Sequence, residues 1–192
     1  MQKKHIVNLA LITLLGFPCL GYIIHFFFTE SDFLYIFVSK SNLLYETFAG
    51  LIVGIISGTI GWKIISLKFM APVLNKYIGL ISSIDIDLSL IIFISFCAGV
   101  GEEILFRGVL QPLIGIWITA VLFVAIHGYL NPVNWRISIY GIYLTLVIGI
   151  IGHLTDWLGL TTAIIAHMII DVILFYKINQ KFQTKIKREL KP

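Results

Sequence analysis

Apolar residues run along this chain in blocks of about twenty, the length a helix needs to cross the hydrocarbon core of a bilayer. The blocks are separated by short polar breaks or breaks bearing glycine and proline. This pattern predicts six membrane-crossing helices, over residues 6–28, 43–66, 88–110, 113–130, 137–155 and 160–177. Only "LQPL" separates the third from the fourth, which predicts a tight hairpin at Pro112. The stretch 67–87, "LKFMAPVLNKYIGLISSIDID", fits two readings: an amphipathic helix lying in the interface, or a seventh element that partly enters the membrane. The first block has a basic start. Its apolar run is nevertheless too long for the core of a signal peptide, and it lacks a small-x-small cleavage site, so it reads as a membrane helix. Cys19 follows the bulky Phe17–Pro18 pair, which argues against lipid attachment.

Composition sharpens the class. Of the 192 residues 58% are hydrophobic and only 12% charged, where a soluble domain carries about a quarter charged residues. With a mean hydropathy of +0.97, most side chains must meet lipid or each other. The expected fold is an all-α polytopic membrane helix bundle with three regions: N-terminal helices and the interfacial segment over 1–87, a core over 88–177, and a basic cytoplasmic tail over 178–192. Cys19 and Cys97 lie far apart in apolar runs, so packing rather than a disulfide or a thiolate is expected of them.

Charge then sets the orientation. Six spans put both termini on one side, together with Lys3, Lys4, Lys63, Lys68, Lys76, Arg136 and the tail from Lys177 to Lys191. The opposite side receives Lys40, Arg107, Glu30, Asp32 and Asp156. That asymmetry predicts cytoplasmic termini. The tail reads as a topology anchor that touches anionic lipid, not as a nucleic-acid site.

Ionisable groups at membrane depth cost about 2.5–3.5 kcal/mol each on insertion scales, so each calls for a reason. Lys63 can snorkel, Glu46 lies a turn inside a span end, and His25 and His153 fall near an interface. The others come in helix-compatible pairs. Glu103 and Arg107 are four apart in "EEILFR" and share a helix face as an ion pair. Glu102, one residue earlier, is turned about 100° away. His167 and Asp171 are four apart in "HMIID", and His127 ends "FVAIH". Three helices thus each carry deep polar groups, most cheaply turned inward around one wet cavity. A purely structural polar network is a weak alternative, because hydrogen bonds between membrane helices average under ~1 kcal/mol.

These residue types suit hydrolysis. Glu102 can take a proton from water and return it, while His127, His167 and Asp171 orient the water and stabilise an oxyanion, or bind a divalent metal such as zinc that does so. Their spacing is not that of the familiar soluble zinc motif, so the residues support hydrolysis better than they support a metal.

The three segments, in order, resemble the EExxxR, FxxxH and HxxxN/D motifs of the CAAX protease and bacteriocin-processing (CPBP, or Abi) family of intramembrane proteases. The resemblance covers about residues 90–175. It implies that Glu102 activates the attacking water with help from His127, that His167 and Asp171 complete the site, and that Glu103 and Arg107 support it. It also implies a multi-pass protein of a prokaryotic plasma membrane. The substrate would be a membrane-associated peptide or protein, in CAAX-like, bacteriocin or peptide-signal processing. The third motif ends in Asp171 where prenyl-protein proteases have Asn, which loosens any direct transfer of the prenyl-peptide mechanism. A competing reading is a bacteriocin-immunity or scaffold protein that binds a peptide without cutting it. A small ion-coupled carrier is a further alternative, disfavoured by the lack of an internal repeat.

One feature of the predicted spans is discordant. With cytoplasmic termini, Glu102 lies toward the outer end of its span and His127 toward the inner end of the next, an offset of roughly 5–10 Å at the helical rise.

Overall fold

The computed structural model describes residues 3–82 and 86–189, the side chains of 80–82 and 185–189 excepted. The last residues of the expected tail, Lys191 included, lie outside the described residues. All regular structure among the described residues is helical: α1 (Lys3–Phe28), α2 (Leu43–Ile65), α3 (Ala71–Ser82), α4 (Leu88–Ile114), α5 (Ile116–Ile126), α6 (Trp135–Trp157) and α7 (Leu160–Glu189). Short 3-10 turns precede α2 at Phe33–Phe37 and α3 at Lys68–Met70. Side-chain caps start three of the helices. Asn42, Asp87 and Asn134 each accept a backbone N–H of the following first turn, from Leu44, Leu90 and Ile137, satisfying donors that a helix start leaves unpaired.

Five helices, α1, α2, α4, α6 and α7 as far as Thr184, are long and apolar enough to cross a membrane. The fourth expected span, 113–130, is not. Its helical part, α5, has 11 residues, about 16 Å of rise against a hydrocarbon core of about 30 Å. Two glycines with left-handed backbones bound it, Gly115 (φ 85°) and Gly128 (φ 75°), a conformation that side chains with a Cβ rarely adopt. The ambiguous stretch after α2 resolves into α3, an amphipathic helix of 12 residues, too short to cross. Its Val73, Leu74 and Ile78 are buried while Asn75 and Lys76 are exposed.

Small residues let the long helices approach. On α2, the space a Cβ would take at Gly50, Gly54 and Gly58 is occupied by Ile165, Ile169 and Ile173 of α7 and by backbone of the same helix. Gly101 of α4 lies against the Thr13 carbonyl of α1 in the same way. Lipid tails are as apolar as Leu, so close packing of this kind, not hydrophobic exclusion, holds membrane helices together. The outer faces fit that solvent: Leu15 and Phe27 of α1 and Ile142 of α6 are well over half exposed.

Contacts at the helix ends fix the topology. Lys3 pairs with Asp87 at 2.7 Å, and Asn179 donates to the Ile86 carbonyl at 3.0 Å. The start of α1, the start of α4 and the late part of α7 therefore share one end of the bundle. At the other end, Lys40 N–H bonds the Leu158 carbonyl. There the buried Glu46 accepts the Ser39 hydroxyl and lies against Gly159 at the start of α7, where a carboxylate favours the positive end of a helix dipole. Glu46 thus has a structural role, as does His25, whose Nε2 meets the Ser31 carbonyl at 2.8 Å. Both cysteines are free, and Cys97 is fully buried.

Candidate active site

Near its middle α4 changes character. Leu88–Glu103 is α-helical and Ile104–Leu110 is a π-helical stretch, a wider turn that is rare outside functional positions. Glu102 and Glu103 are the last residues before it and Arg107 lies inside it. All three are buried, at 8%, 2% and 3% exposure.

The two carboxylates face different partners. Glu102 Oε2 is 3.3 Å from His127 Nε2. His127 caps the end of α5, and its Nδ1 lies 2.7 Å from the Phe123 carbonyl. A carbonyl can only accept, so Nδ1 carries the proton there and Nε2 is the nitrogen left to work toward Glu102. Glu102 Oε2 is buried and makes no hydrogen bond among the described residues.

Glu103 joins the other members. Its Oε2 is 3.3 Å from Arg107 Nε, and its Oε1 is 2.8 Å from His167 Nδ1. His167 Nε2 in turn lies 3.6 Å from Asp171 Oδ2. Arg107, Glu103, His167 and Asp171 therefore form a chain of charges that ties α4 to α7. Both expected pairs, Glu103 with Arg107 and His167 with Asp171, are present, and the bond from Glu103 to His167 joins them. Both ring nitrogens of His167 point at carboxylates, an arrangement that the doubly protonated ring satisfies.

Phe123 is the packing hub of the site. Its ring stacks on His127 at 4.3 Å between centroids, meets His167 edge-on at 5.7 Å and Phe106 at 4.9 Å, and lies 5.6 Å from the Arg107 guanidinium. The sequence showed Phe123 in its motif but gave it no job. The contribution of α1 was also missed. Ile6, Ala10 and Thr13 wall the cavity into which Glu102, Glu103, His127, His167 and Asp171 all open. The volume of that cavity is about 340 Å³, in the range of ligand sites. Leu144, Val147 and Ile151 of α6 form much of the opposite wall. The signal for α1 was Gly101, whose missing side chain admits Thr13.

The offset between Glu102 and His127 disappears in three dimensions. α4 continues to Ile114, so Glu102 is central in it, and α5 begins only at Ile116, so His127 at its end comes to the same depth. The donors Glu102, His127, His167 and Asp171 do not converge as an expected metal site would. Among the described residues no three His, Cys, Asp or Glu side chains form a group that could hold a metal ion. Instead they are engaged pairwise.

Comparison with known proteins agrees with the three motifs. Residues 85–173 match the family model of type II CAAX prenyl endopeptidases, Rce1-like. Over 85 residues the chain is 38% identical to the uncharacterized protein YpbD of Bacillus subtilis (strain 168), covering 43% of this chain and 42% of that protein. The match therefore spans less than half of the relative's length. No solved structure gives a significant match. The resemblance to CAAX-type proteases read from the motifs is thus borne out over residues 85–173.

Proposed function

We propose that this chain is an intramembrane endopeptidase that hydrolyses a peptide bond in a membrane-associated protein or peptide. The observation that carries the reading is the buried Glu102 Oε2 set 3.3 Å from His127 Nε2 at the wall of a mostly apolar cavity. The similarity of residues 85–173 to Rce1-like endopeptidases supports the same reaction class.

In this mechanism Glu102 takes a proton from a water that sits on the cavity side of the pair, within hydrogen-bond reach of both Glu102 and His127. The hydroxide attacks the scissile carbonyl carbon, and the C–O bond forms as the carbonyl π electrons move to oxygen. His127, held by the Phe123 carbonyl, orients the water. The charge chain through Glu103, His167 and Asp171 positions the α7 side of the cavity and places a cation beside the developing oxyanion. Collapse of the tetrahedral intermediate breaks the C–N bond, and Glu102 returns its proton to the leaving amine. The substrate segment lies against the apolar wall of α6 and α1. Lysine and arginine at the end of the bundle shared by both termini favour a cytoplasmic position for that end.

The test is Glu102→Gln in cells and in proteoliposomes, with new protein termini in the membrane fraction identified by terminal-peptide mass spectrometry. Losing a general base lowers the rate by about 10²–10⁴-fold, so termini that depend on the wild-type chain should vanish with Glu102→Gln and with His127→Ala while the proteins still insert. Cleavage that persists in both variants refutes the proposal. A protective phenotype that survives Glu102→Gln without cleavage would instead favour a peptide-binding immunity protein.

A further inference from the structure

A second recess, lined by none of the residues of the first cavity, lies at the end of the bundle where α1 begins and the late part of α7 runs. It is a groove of about 460 Å³ between the last turn of α2, the polar face of α3 and the late turns of α7. Trp62, Asn75, Lys177, Gln180, Lys181 and Thr184 line it. Lys177, Lys181 and Thr184 recur at helical spacing, so α7 presents them on one face. The Lys181 ammonium sits 5.8 Å from the Trp62 ring.

The side chains that line the groove carry charge of one sign, two lysines and no Asp or Glu. No Asp or Glu occurs between Glu46 and Asp85, or between Asp171 and Glu189. Among the described residues neither Lys177 nor Lys181 has an acidic partner. Lys177 is half-buried, a position where an ammonium needs a counter-charge or hydrogen-bond acceptors. Asn75, Gln180 and Thr184 add neutral hydrogen-bond donors around the two cations, a set suited to phosphate oxygens. The groove lies where α2 ends and where the crossing part of α7 ends, and Trp62 is the residue type that gathers at the headgroup level.

We infer that this groove is a binding site for the phosphate of an anionic phospholipid headgroup, held by Lys177 and Lys181 with Trp62 beside it. Basic pockets between membrane helices on the cytoplasmic side bind such headgroups, whereas a general basic surface attracts them without a fixed position. The groove separates these two cases, because Lys68 and Lys76 are equally basic but lie outside it.

The experiment uses the full chain in nanodiscs of phosphatidylcholine containing phosphatidylglycerol, with retained lipid read by native mass spectrometry. A lysine near an anionic headgroup is worth on the order of fivefold in affinity, so Lys177→Gln with Lys181→Gln should weaken phosphatidylglycerol retention by about 30-fold. Lys68→Gln with Lys76→Gln removes the same charge and should leave retention within about twofold. Lys177→Arg with Lys181→Arg should keep binding, which separates lost contact from a fold defect. Equal losses in the two glutamine pairs overturn the inference, because surface charge alone would then explain binding. Displacement of the lipid by millimolar inorganic phosphate overturns it as well, because the ligand would then be the free ion.

Discussion

Replacing Arg107 by methionine tests whether Glu103 is a buried charge whose stability depends on its neighbours. The two side chains are 1% and 2% exposed, and Arg107 Nε lies 3.3 Å from Glu103 Oε2. At an effective dielectric of about 20, unit charges at that separation attract by about 5 kcal/mol. Most of that gain offsets the cost of taking both charges from water, so the intact pair adds little net stability. Removing one partner is different, because the other stays buried and uncompensated at a cost of about 3–5 kcal/mol. His167, 2.8 Å from the second Glu103 oxygen, still faces the carboxylate in Arg107→Met. The loss should therefore fall at the low end, about 3 kcal/mol. Glu103→Gln leaves the guanidinium with the Phe123 face at 5.6 Å, a contact worth only about 0.5–2 kcal/mol, so its loss should be at least as large. The double variant removes both charges and should cost less than the sum of the singles by about 1.5 kcal/mol or more. Reversible unfolding of the purified protein in mixed micelles, followed by tryptophan fluorescence, gives all three values. Two additive losses, each below about 0.5 kcal/mol, would refute the coupling.

The remaining predictions concern packing, pH and metal. Gly54→Leu forces a side chain into space where a Cβ alone would come within 2.7 Å of Ile169 Cβ; it should destabilise the bundle by about 1–3 kcal/mol or more in the same unfolding assay. Gly16→Ala, whose nearest neighbour would be Ile12 of its own helix at 3.9 Å, should be neutral or stabilising by up to about 1 kcal/mol. The Lys3 hydrogen bond, then the Leu90 N–H, hold the Asp87 carboxyl below its ordinary value of 3.8. The stability this adds is complete above that value and is lost as pH falls through the lower native one. Because the pair is exposed, the effect should be small, screened by salt and absent in Asp87→Asn, as read by melting temperature against pH. Prolonged treatment with a strong chelator should leave cleavage unchanged, since the site donors pair with one another; loss of activity restored by added zinc would contradict that prediction.

What was legible in the sequence was legible because burial leaves few alternatives. Glu103 with Arg107, and His167 with Asp171, are each four apart on a helix, and at membrane depth such groups must find partners inside the bundle. The structure shows both contacts. The bond from Glu103 to His167 was not legible, because helical spacing says which residues share a face and nothing about which neighbouring helix that face meets. The α1 wall was hidden for a related reason: Thr13 enters the site through the absence of a side chain at Gly101, and a glycine carries no hydrophobic signal.

The fourth apolar run is more instructive, because hydropathy counts residues and not the conformation that bears them. The run 113–130 is apolar enough to cross, yet it holds Gly115 and Gly128, both with positive φ, and helix survives only between Ile116 and Ile126. Irregular backbone at membrane depth must have its polar groups satisfied within the protein. Here they are: the His127, Gly128 and Tyr129 N–H groups bond the Phe123, Ala125 and Val124 carbonyls. Farther on, Asn131 Oδ1 accepts from Val133 and Asn134. The break also places the Tyr129 carbonyl against Gly141, more than a turn inside α6. Because the turn between α4 and α5 falls at Gly115, Glu102 lies 12 residues before the end of α4 and His127 lies 11 after the start of α5, so at equal helical rise the two stand at matching depth. At that depth the His127 imidazole meets the Glu102 carboxylate at 3.3 Å. The position of the turn and the Glu102–His127 pair are therefore one feature, because Gly115, in setting where α5 begins, sets the depth of the histidine.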